Sequence, residues 1–126
     1  MAQLTIALAQ IDIAFGQPEK NFQTVATAVA EAAQQGAEVV VLPEMWNTGY
    51  DLEHLATTAD PDGLRTKAFL SALAQQYHLA IVGGSVAAAE SGRFYNRSLT
   101  VDHHGRQLAK YDKVHRFRLM NEEKFI

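Results

Sequence analysis

Hydrophobic residues recur at two different spacings along the chain, and these spacings predict the order of its helices and strands. A short, mostly apolar run at 3–11 predicts a buried strand. Apolar residues then recur at helical spacing over 18–35, which predicts an amphipathic helix that starts at Pro18 and stops at Gly36. The β-branched run at 37–42 predicts a strand that is buried on both faces. This β-α-β order with short connections predicts neighbouring parallel strands and a right-handed crossover.

The rest of the chain predicts one long loop, a second helix and a group of strands. The loop spans 43–61, and loops of this length in a compact domain are often functional. A helix is predicted over 63–77, with Leu64 on its buried side, and a buried strand over 78–88. Strands at 94–102 and 107–113 follow, each preceded by a short turn. The fold class is therefore α/β, with the order β-α-β-α and then a β-meander.

The predicted elements leave one side of the sheet without a cover. About five strands and two helices are expected, and two helices can cover one face of such a sheet. The last segment, 116–126, carries no turn signal or closing element. We therefore expect an unfinished domain with an exposed apolar sheet face, which is a surface prone to association.

Composition and charge exclude several classes of function. The 126 residues fit one domain, and a net charge of −3 argues against general nucleic-acid binding. No apolar run has the ~18 residues of a membrane span, and the N-terminus lacks the features of a secretory signal. We therefore expect a soluble, cytoplasmic protein that contacts neither membrane nor nucleic acid. The chain has no cysteine, which excludes disulfides, thiolate metal sites and a cysteine nucleophile within these residues.

Neither a metal nor a cofactor is expected. The adjacent His103 and His104 match no metal-ligand spacing and favour an exposed turn. The Gly83-Gly84-Ser85 segment lacks both phosphate-binding glycine patterns, so close packing within a strand is the favoured role of its small residues.

Three features carry candidate chemistry, and each has an alternative interpretation. Glu44 directly follows an apolar strand, at the sheet edge where ligands bind in open α/β sheets, so it is either a general base or a loop-capping residue. Lys113 ends the last strand and either extends into solvent or stabilises negative charge. The 105–126 segment has six Lys or Arg against three acids. It is either a solvated face or a pocket for an anion, in which Arg116 and Arg118 would suit a carboxylate.

Three motifs occur in a recognisable order: VVVLPEMWNTGY, then IVGGSV, then FYNRSLTVDHHGRQLAKYDKVHRF. Together they resemble the nitrilase superfamily of carbon–nitrogen hydrolases, and the amidase branch with its ω-amidase-like members most of all. The resemblance runs from Leu4 to about Ile126. It implies an αββα sandwich, of which residues 1–126 would form roughly the N-terminal half.

The resemblance also implies roles for individual residues. The family hydrolyses carbon–nitrogen bonds with a glutamate, a lysine and a cysteine. Glu44 matches the general base, and Lys113 matches the cation that stabilises the tetrahedral intermediate. The remaining matches are supporting or pocket residues: Glu122 as a second site glutamate with Glu123 as the alternative, Tyr50, Asn96, and His115 as a brace of the strand end.

The function implied by the resemblance is hydrolysis of a small amide to a carboxylic acid and ammonia. The missing cysteine predicts that the chain alone is inactive, since the family's mechanism depends on a covalent nucleophile. We expect the chain to pair with itself or with a separately made C-terminal half, and to bind a small amide or carboxylate. The alternative is a non-catalytic binding or interaction module. The identity of the substrate stays open.

Overall fold

Seven strands form one mixed sheet in the computed structural model, which describes residues 2–126. Strands β1, β2 and β4 are parallel neighbours, and β3 pairs in parallel with β5. The long strand β6 pairs antiparallel with β4 and β5 along one side and with β7 along the other. The strands are β1 (Ile6–Leu8), β2 (Val39–Val41), β3 (Asp60–Pro61), β4 (Ala80–Val82), β5 (Val86–Glu90), β6 (Arg93–Val101) and β7 (Gln107–Asp112).

Two long helices and several short helical segments connect the strands. The long helices end within one residue of their predicted limits, because their apolar spacing and the proline at the start of α1 define them locally. No helix of the described chain has the length and hydropathy that crossing a membrane requires. The helices are α1 (Pro18–Gln34), α2 (Leu55–Thr58), α3 (Leu64–Tyr77) and α4 (Glu122–Phe125), with 3₁₀ turns at Leu52–His54 and Arg118–Met120.

Helices α1 and α3 cover one face of the sheet and form the main core with it. Val25 and Val29 of α1 and Leu70 of α3 are fully buried there against Val40 and Ile81 of the sheet. Burial of each such side chain contributes about 1.5–3 kcal/mol to the free energy of unfolding. The core therefore holds the central parallel strands in place, and the candidate site lies beyond the ends of these strands.

The opposite face of the sheet is covered only at one end. Leu52 and Leu55 pack there against Ala87, but Leu8 of β1 and Val82 of β4 are 70% and 39% exposed. An exposed apolar surface of this kind, which runs from the edge strand β1 to β4 inside the sheet, is an association surface. The predicted uncovered face is therefore present in the structure.

The structure corrects five of the predicted elements. The strand predicted over 78–88 is wrong, because Gly83, Gly84 and Ser85 interrupt it and separate β4 from β5. Gly84 has a φ of +56°, and a Cβ there would lie 2.0 Å from the backbone oxygen of Pro43. The run is broken where two backbone segments must approach closely, which a pattern of apolar residues does not reveal.

The other corrections concern the ends of elements and one helix face. Strand β1 is shorter than the predicted 3–11, and the predicted loop contains α2, β3 and a 3₁₀ turn. The segment predicted to lack a closing element contains α4. Leu64, predicted on the buried side of α3, is 62% exposed because it lies about 200° around the helix axis from Thr66, which shares the buried face with Leu70 and Leu73.

Candidate active site

A tight turn after β2 presents Glu44 at the edge of the sheet. The backbone N–H of Met45 donates to Oγ of Ser85 (2.9 Å), and the N–H of Trp46 donates to the backbone oxygen of Ser85 (3.0 Å). The indole Nε1 of the fully buried Trp46 donates to the backbone oxygen of Gly83 at 2.9 Å. The break between β4 and β5 therefore anchors the turn that carries Glu44.

Lys113 reaches this turn from the last strand of the sheet. Its backbone N–H donates to the backbone oxygen of Asn96 on β6 at 2.9 Å, just after β7 ends at Asp112. Its Nζ donates to Oε1 of Glu44 at 2.9 Å and lies 3.0 Å from Oε1 of Glu122. One ammonium group therefore lies between two carboxylates, and one of these is 69 residues away in the chain.

Glu122 and Asn96 complete the cluster. Glu122 has no exposed surface, and its Oε1 accepts a hydrogen bond from the backbone N–H of Phe117 at 2.6 Å. The amide Nδ2 of Asn96 donates to Oε1 of Glu44 and to Oε2 of Glu122, both at 2.9 Å. We call the group of Glu44, Asn96, Lys113 and Glu122 the carboxylate–lysine cluster.

Comparison with known proteins shows the family to which the chain belongs. The model of the family described as carbon-nitrogen hydrolase matches residues 5–125. The chain belongs to the carbon–nitrogen hydrolases. This finding confirms the resemblance to the nitrilase superfamily that the three sequence motifs indicate.

Individual carbon–nitrogen hydrolases match nearly the whole chain. The 2-oxoglutaramate amidase of Bacillus subtilis (strain 168) is 38% identical over 122 residues, which are 97% of this chain and 47% of that protein. A CN-hydrolase superfamily protein from Xanthomonas campestris superposes with a TM-score of 0.86 at 29% identity, over 99% of this chain and 46% of its own. The NitN amidase from Neterenkonia sp. AN1 superposes with a TM-score of 0.83 at 25% identity, over 98% and 49%.

The coverage values also show what fraction of a related hydrolase this chain represents. The chain spans about half the length of the curated relatives it matches. The predicted α/β fold class, with a multi-stranded sheet that forms about half of a carbon–nitrogen hydrolase domain, is confirmed by these comparisons.

The carboxylate–lysine cluster is charged at neutral pH. Burial opposes the charge of Glu44, but hydrogen bonds from Lys113, Tyr50 and Asn96 outweigh it and lower the pKa of that carboxyl below its ordinary 4.5. Burial also opposes the charge of Glu122, but hydrogen bonds from Asn96, Phe117 and Lys113 lower its pKa in the same way.

The pKa values of Lys113 and of the neighbouring Tyr50 are raised. Burial opposes the charge of Lys113, but hydrogen bonds to Glu44 and Glu122 raise its pKa above the ordinary 10.5. Burial, together with the neighbouring Glu44 carboxylate, raises the pKa of the Tyr50 phenol, so the phenol stays protonated. At neutral pH the cluster therefore contains two carboxylates and one ammonium, beside the neutral phenol of Tyr50.

The structure separates the remaining sequence candidates from the cluster. Glu123 is exposed, so of the two neighbouring glutamates only Glu122 contacts Lys113. His115 is exposed and lines a separate surface hollow of about 250 Å³ with Arg116 and Arg118. The hydrogen bond from the backbone of Phe117 to Glu122 was not anticipated, because no sequence signal marks a backbone donor.

The cluster has an accessible side and a buried side. Glu44 is 50% exposed and Lys113 27%, whereas Glu122 is fully enclosed. An ammonium has three N–H donors, and within residues 2–126 two of them are directed at the carboxylates of Glu44 and Glu122. The accessible side can therefore offer a carboxylate that takes up a proton and an ammonium that donates to an oxygen.

Proposed function

We propose that this chain supplies the glutamate–lysine part of the active site of an amidase that hydrolyses a small amide to a carboxylic acid and ammonia. The observation that carries the proposal is the position of the Lys113 ammonium, between the accessible Glu44 and the enclosed Glu122. Membership of the carbon–nitrogen hydrolases supports the reaction class, since the relatives that match include amidases.

The nucleophile is a cysteine from a part of the enzyme that lies outside these 126 residues. The chain contains no cysteine, whereas the amidase from Nesterenkonia sp. AN1 has an active-site cysteine. A thiol attacks an amide only after it loses its proton, so it needs a base within hydrogen-bond reach. Glu44 is the accessible carboxylate of the cluster, and it accepts that proton.

The proposed reaction then proceeds in two steps. The thiolate sulfur bonds to the amide carbon, and the carbonyl oxygen gains the negative charge, which the Lys113 ammonium stabilises by donating a hydrogen bond. When the carbon–nitrogen bond breaks, the nitrogen takes the proton from Glu44 and leaves as ammonia. Water then attacks the thioester with Glu44 as base, releasing the carboxylic acid and restoring the thiol.

The other members of the site hold these two residues in place. Glu122 pairs with Lys113 from the enclosed side, so the ammonium stays charged and directed at the site when Glu44 is protonated. Asn96 donates to Glu44 at 2.9 Å and fixes the orientation of its carboxylate. A base held in one orientation requires less reorganisation during the reaction.

The uncovered sheet face fits the same proposal. Leu8 and Val82 lie exposed on the face that α1 and α3 do not cover. The second layer of the αββα sandwich, from the rest of the hydrolase, would bury these side chains. This layer would also bring the nucleophile to the accessible side of Glu44.

Ammonia release tests the proposal. The chain is assayed with small aliphatic amides, alone and co-expressed with the remainder of the Bacillus subtilis relative beyond the region that matches it. We expect no ammonia above background from the chain alone and measurable release from the complex, with the assembly confirmed by light scattering. Ammonia release by the isolated chain after rigorous purification would contradict the proposal.

A further inference from the structure

One buried charge has no part in the proposed reaction. The side chain of Arg97, on β6, is 1% exposed. Its Nε and Nη2 donate to the two carboxylate oxygens of Asp112 at 2.7 and 3.1 Å, which is a bidentate (two-pronged) contact with a single carboxylate. Nη2 also reaches Glu90 at 3.4 Å, and Nη1 reaches the backbone oxygen of Asp62 at 3.3 Å.

The position of this pair in the sheet connects it to the carboxylate–lysine cluster. Arg97 and Asp112 are paired in register across β6 and β7. Neighbouring residues of a strand point to opposite faces, so Asn96 lies on the face opposite to Arg97. Asp112 is the last residue of β7, and Lys113 comes directly after it. The pair therefore ties the two strands together immediately behind the cluster.

Stability alone does not account for a buried arginine at this place. Burying the guanidinium of Arg97 costs several kcal/mol, whereas its partners Asp112 and Glu90 stay 32% and 40% exposed. Apolar residues of similar volume are often as stable as a buried ion or more stable. Its strand neighbour on the same face, Leu99, is a buried apolar residue of the core. What the ion pair adds is a fixed geometry, because a two-pronged contact constrains both distance and angle.

We propose that Arg97 and Asp112 are positioning residues: their contact fixes the end of β7 so that the Lys113 ammonium reaches between Glu44 and Glu122. Arg97 acts through Asp112 and the backbone, and it touches no reacting group. The catalytic consequence of the proposal rests on the proposed function, whereas its structural content, the position of the ammonium, does not.

Exchange of the Lys113 ammonium protons with water, measured by ¹⁵N NMR on the 126-residue chain, tests the proposal. The signal is assigned by its loss in Lys113→Met. The main variant is the double substitution Arg97→Met/Asp112→Leu, which removes both charges and leaves neither partner buried alone. Arg97→Lys keeps the charge and removes the two-pronged contact. Arg65→Met is the matched control, because Arg65 forms an exposed pair with Glu19 away from the cluster.

We expect ammonium exchange to become about tenfold faster in the double variant and in Arg97→Lys, as one hydrogen bond of about 1.4 kcal/mol is lost. Arg65→Met leaves the exchange rate unchanged. Urea unfolding followed by circular dichroism establishes that each variant is folded. Wild-type exchange in the folded double variant or in folded Arg97→Lys overturns the proposal. Failure of the double variant to fold also overturns it, since the pair is then needed for the fold itself.

This readout separates the proposal from the proposed function. Ammonium exchange reports the position of Lys113 in the absence of any substrate. A complex that releases no ammonia would contradict the proposed function and leave the exchange result standing. Unchanged ammonium exchange in the variants, together with ammonia release by the complex, would overturn the role of Arg97 and Asp112 and leave the proposed function standing.

Discussion

The Lys113 ammonium lies 3.0 Å from Oε1 of Glu122, a carboxylate with no exposed surface. A fully enclosed carboxylate is costly unless it is paired and hydrogen-bonded, and Glu122 has contacts with Lys113, Asn96 and the backbone of Phe117. The pairing therefore has a structural consequence that is measurable without a substrate. The enclosed Glu122 therefore contributes to the stability of the fold as well as to the site.

Glu122→Gln removes the enclosed charge with almost no change in shape. Three donors then face a side chain that has only one acceptor oxygen, so at least one donor is left unsatisfied. Hydrogen bonds to charged groups contribute about 1.5–3 kcal/mol, and we expect a loss of about 2–3 kcal/mol in the free energy of unfolding. Urea unfolding at neutral pH measures the loss.

The control for this substitution is the neighbouring residue. Glu123 is exposed, so Glu123→Gln changes the free energy of unfolding by no more than about 0.5 kcal/mol. Equal losses for the two variants would show that enclosure of Glu122 contributes nothing to stability.

The stabilising effect of the cluster depends on pH at both ends of the scale. The pKa values of Glu44 and Glu122 are lowered in the folded chain, so their contribution is complete above 4.5 and is lost as the pH falls through the folded values. The pKa of Lys113 is raised, so its contribution is complete below 10.5 and is lost as the pH rises through the folded value.

The difference in free energy of unfolding between wild type and Lys113→Met isolates this contribution. We expect the difference to be constant from about pH 5 to about pH 10 and to shrink outside that range. Urea titrations at a series of pH values measure it. A difference that changes around neutral pH would mean that another group titrates in the cluster.

Gly84 supports the Glu44 turn through the close approach of two backbone segments. Gly84→Ala adds a Cβ that would lie 2.0 Å from the backbone oxygen of Pro43, at a φ of +56°. Overpacking and the unfavourable φ together cost about 3 kcal/mol. Gly92→Ala is the matched control, with a φ of +76° and no atom within 4 Å of the added Cβ, and it costs about 1 kcal/mol. Equal unfolding midpoints for Gly84→Ala and Gly92→Ala would show that the close contact with Pro43 does not add to the cost of the substitution.

The uncovered sheet face predicts that the isolated chain associates at micromolar concentration. Leu8 is 70% exposed on that face, and Leu8→Glu places a charge where association would bury it, which shifts the chain towards monomer. Leu64→Glu is the control, because Leu64 is 62% exposed at the start of α3. Light scattering measures both. A monomeric wild-type chain would contradict the prediction.

Local patterns predicted the helices and most strands. The limits of α1 and α3 follow from apolar spacing and flanking residues, which act within a few positions of each other. The break at Gly84 was missed because its cause is the backbone of Pro43, some forty positions earlier in the chain. The only sequence feature that indicates this contact between distant backbone segments is the pair of glycines, Gly83 and Gly84.

In the site, too, local patterns are predictable from the sequence and long-range contacts are not. The spacing of Glu44 and Lys113 does not predict their contact, because they are 69 positions apart and the sheet brings them together. Only the order of the three family motifs predicts that both belong to one site. Arg97 was missed because a charged residue in a strand is ordinarily an exposed one. Its alternation with Leu99 and Val101, both buried, is the signal that places it on the inner face.

The central claim is that Glu44 is the base of an amidase site completed by the rest of the enzyme, and kcat of the completed complex tests it most directly. Glu44→Gln keeps the shape of the side chain and removes its ability to accept a proton, and we expect kcat for a small amide to fall by about 10²–10⁴-fold. Glu123→Gln is the control and leaves kcat unchanged. An equal kcat for Glu44→Gln and Glu123→Gln, in complexes that assemble alike, would contradict the account.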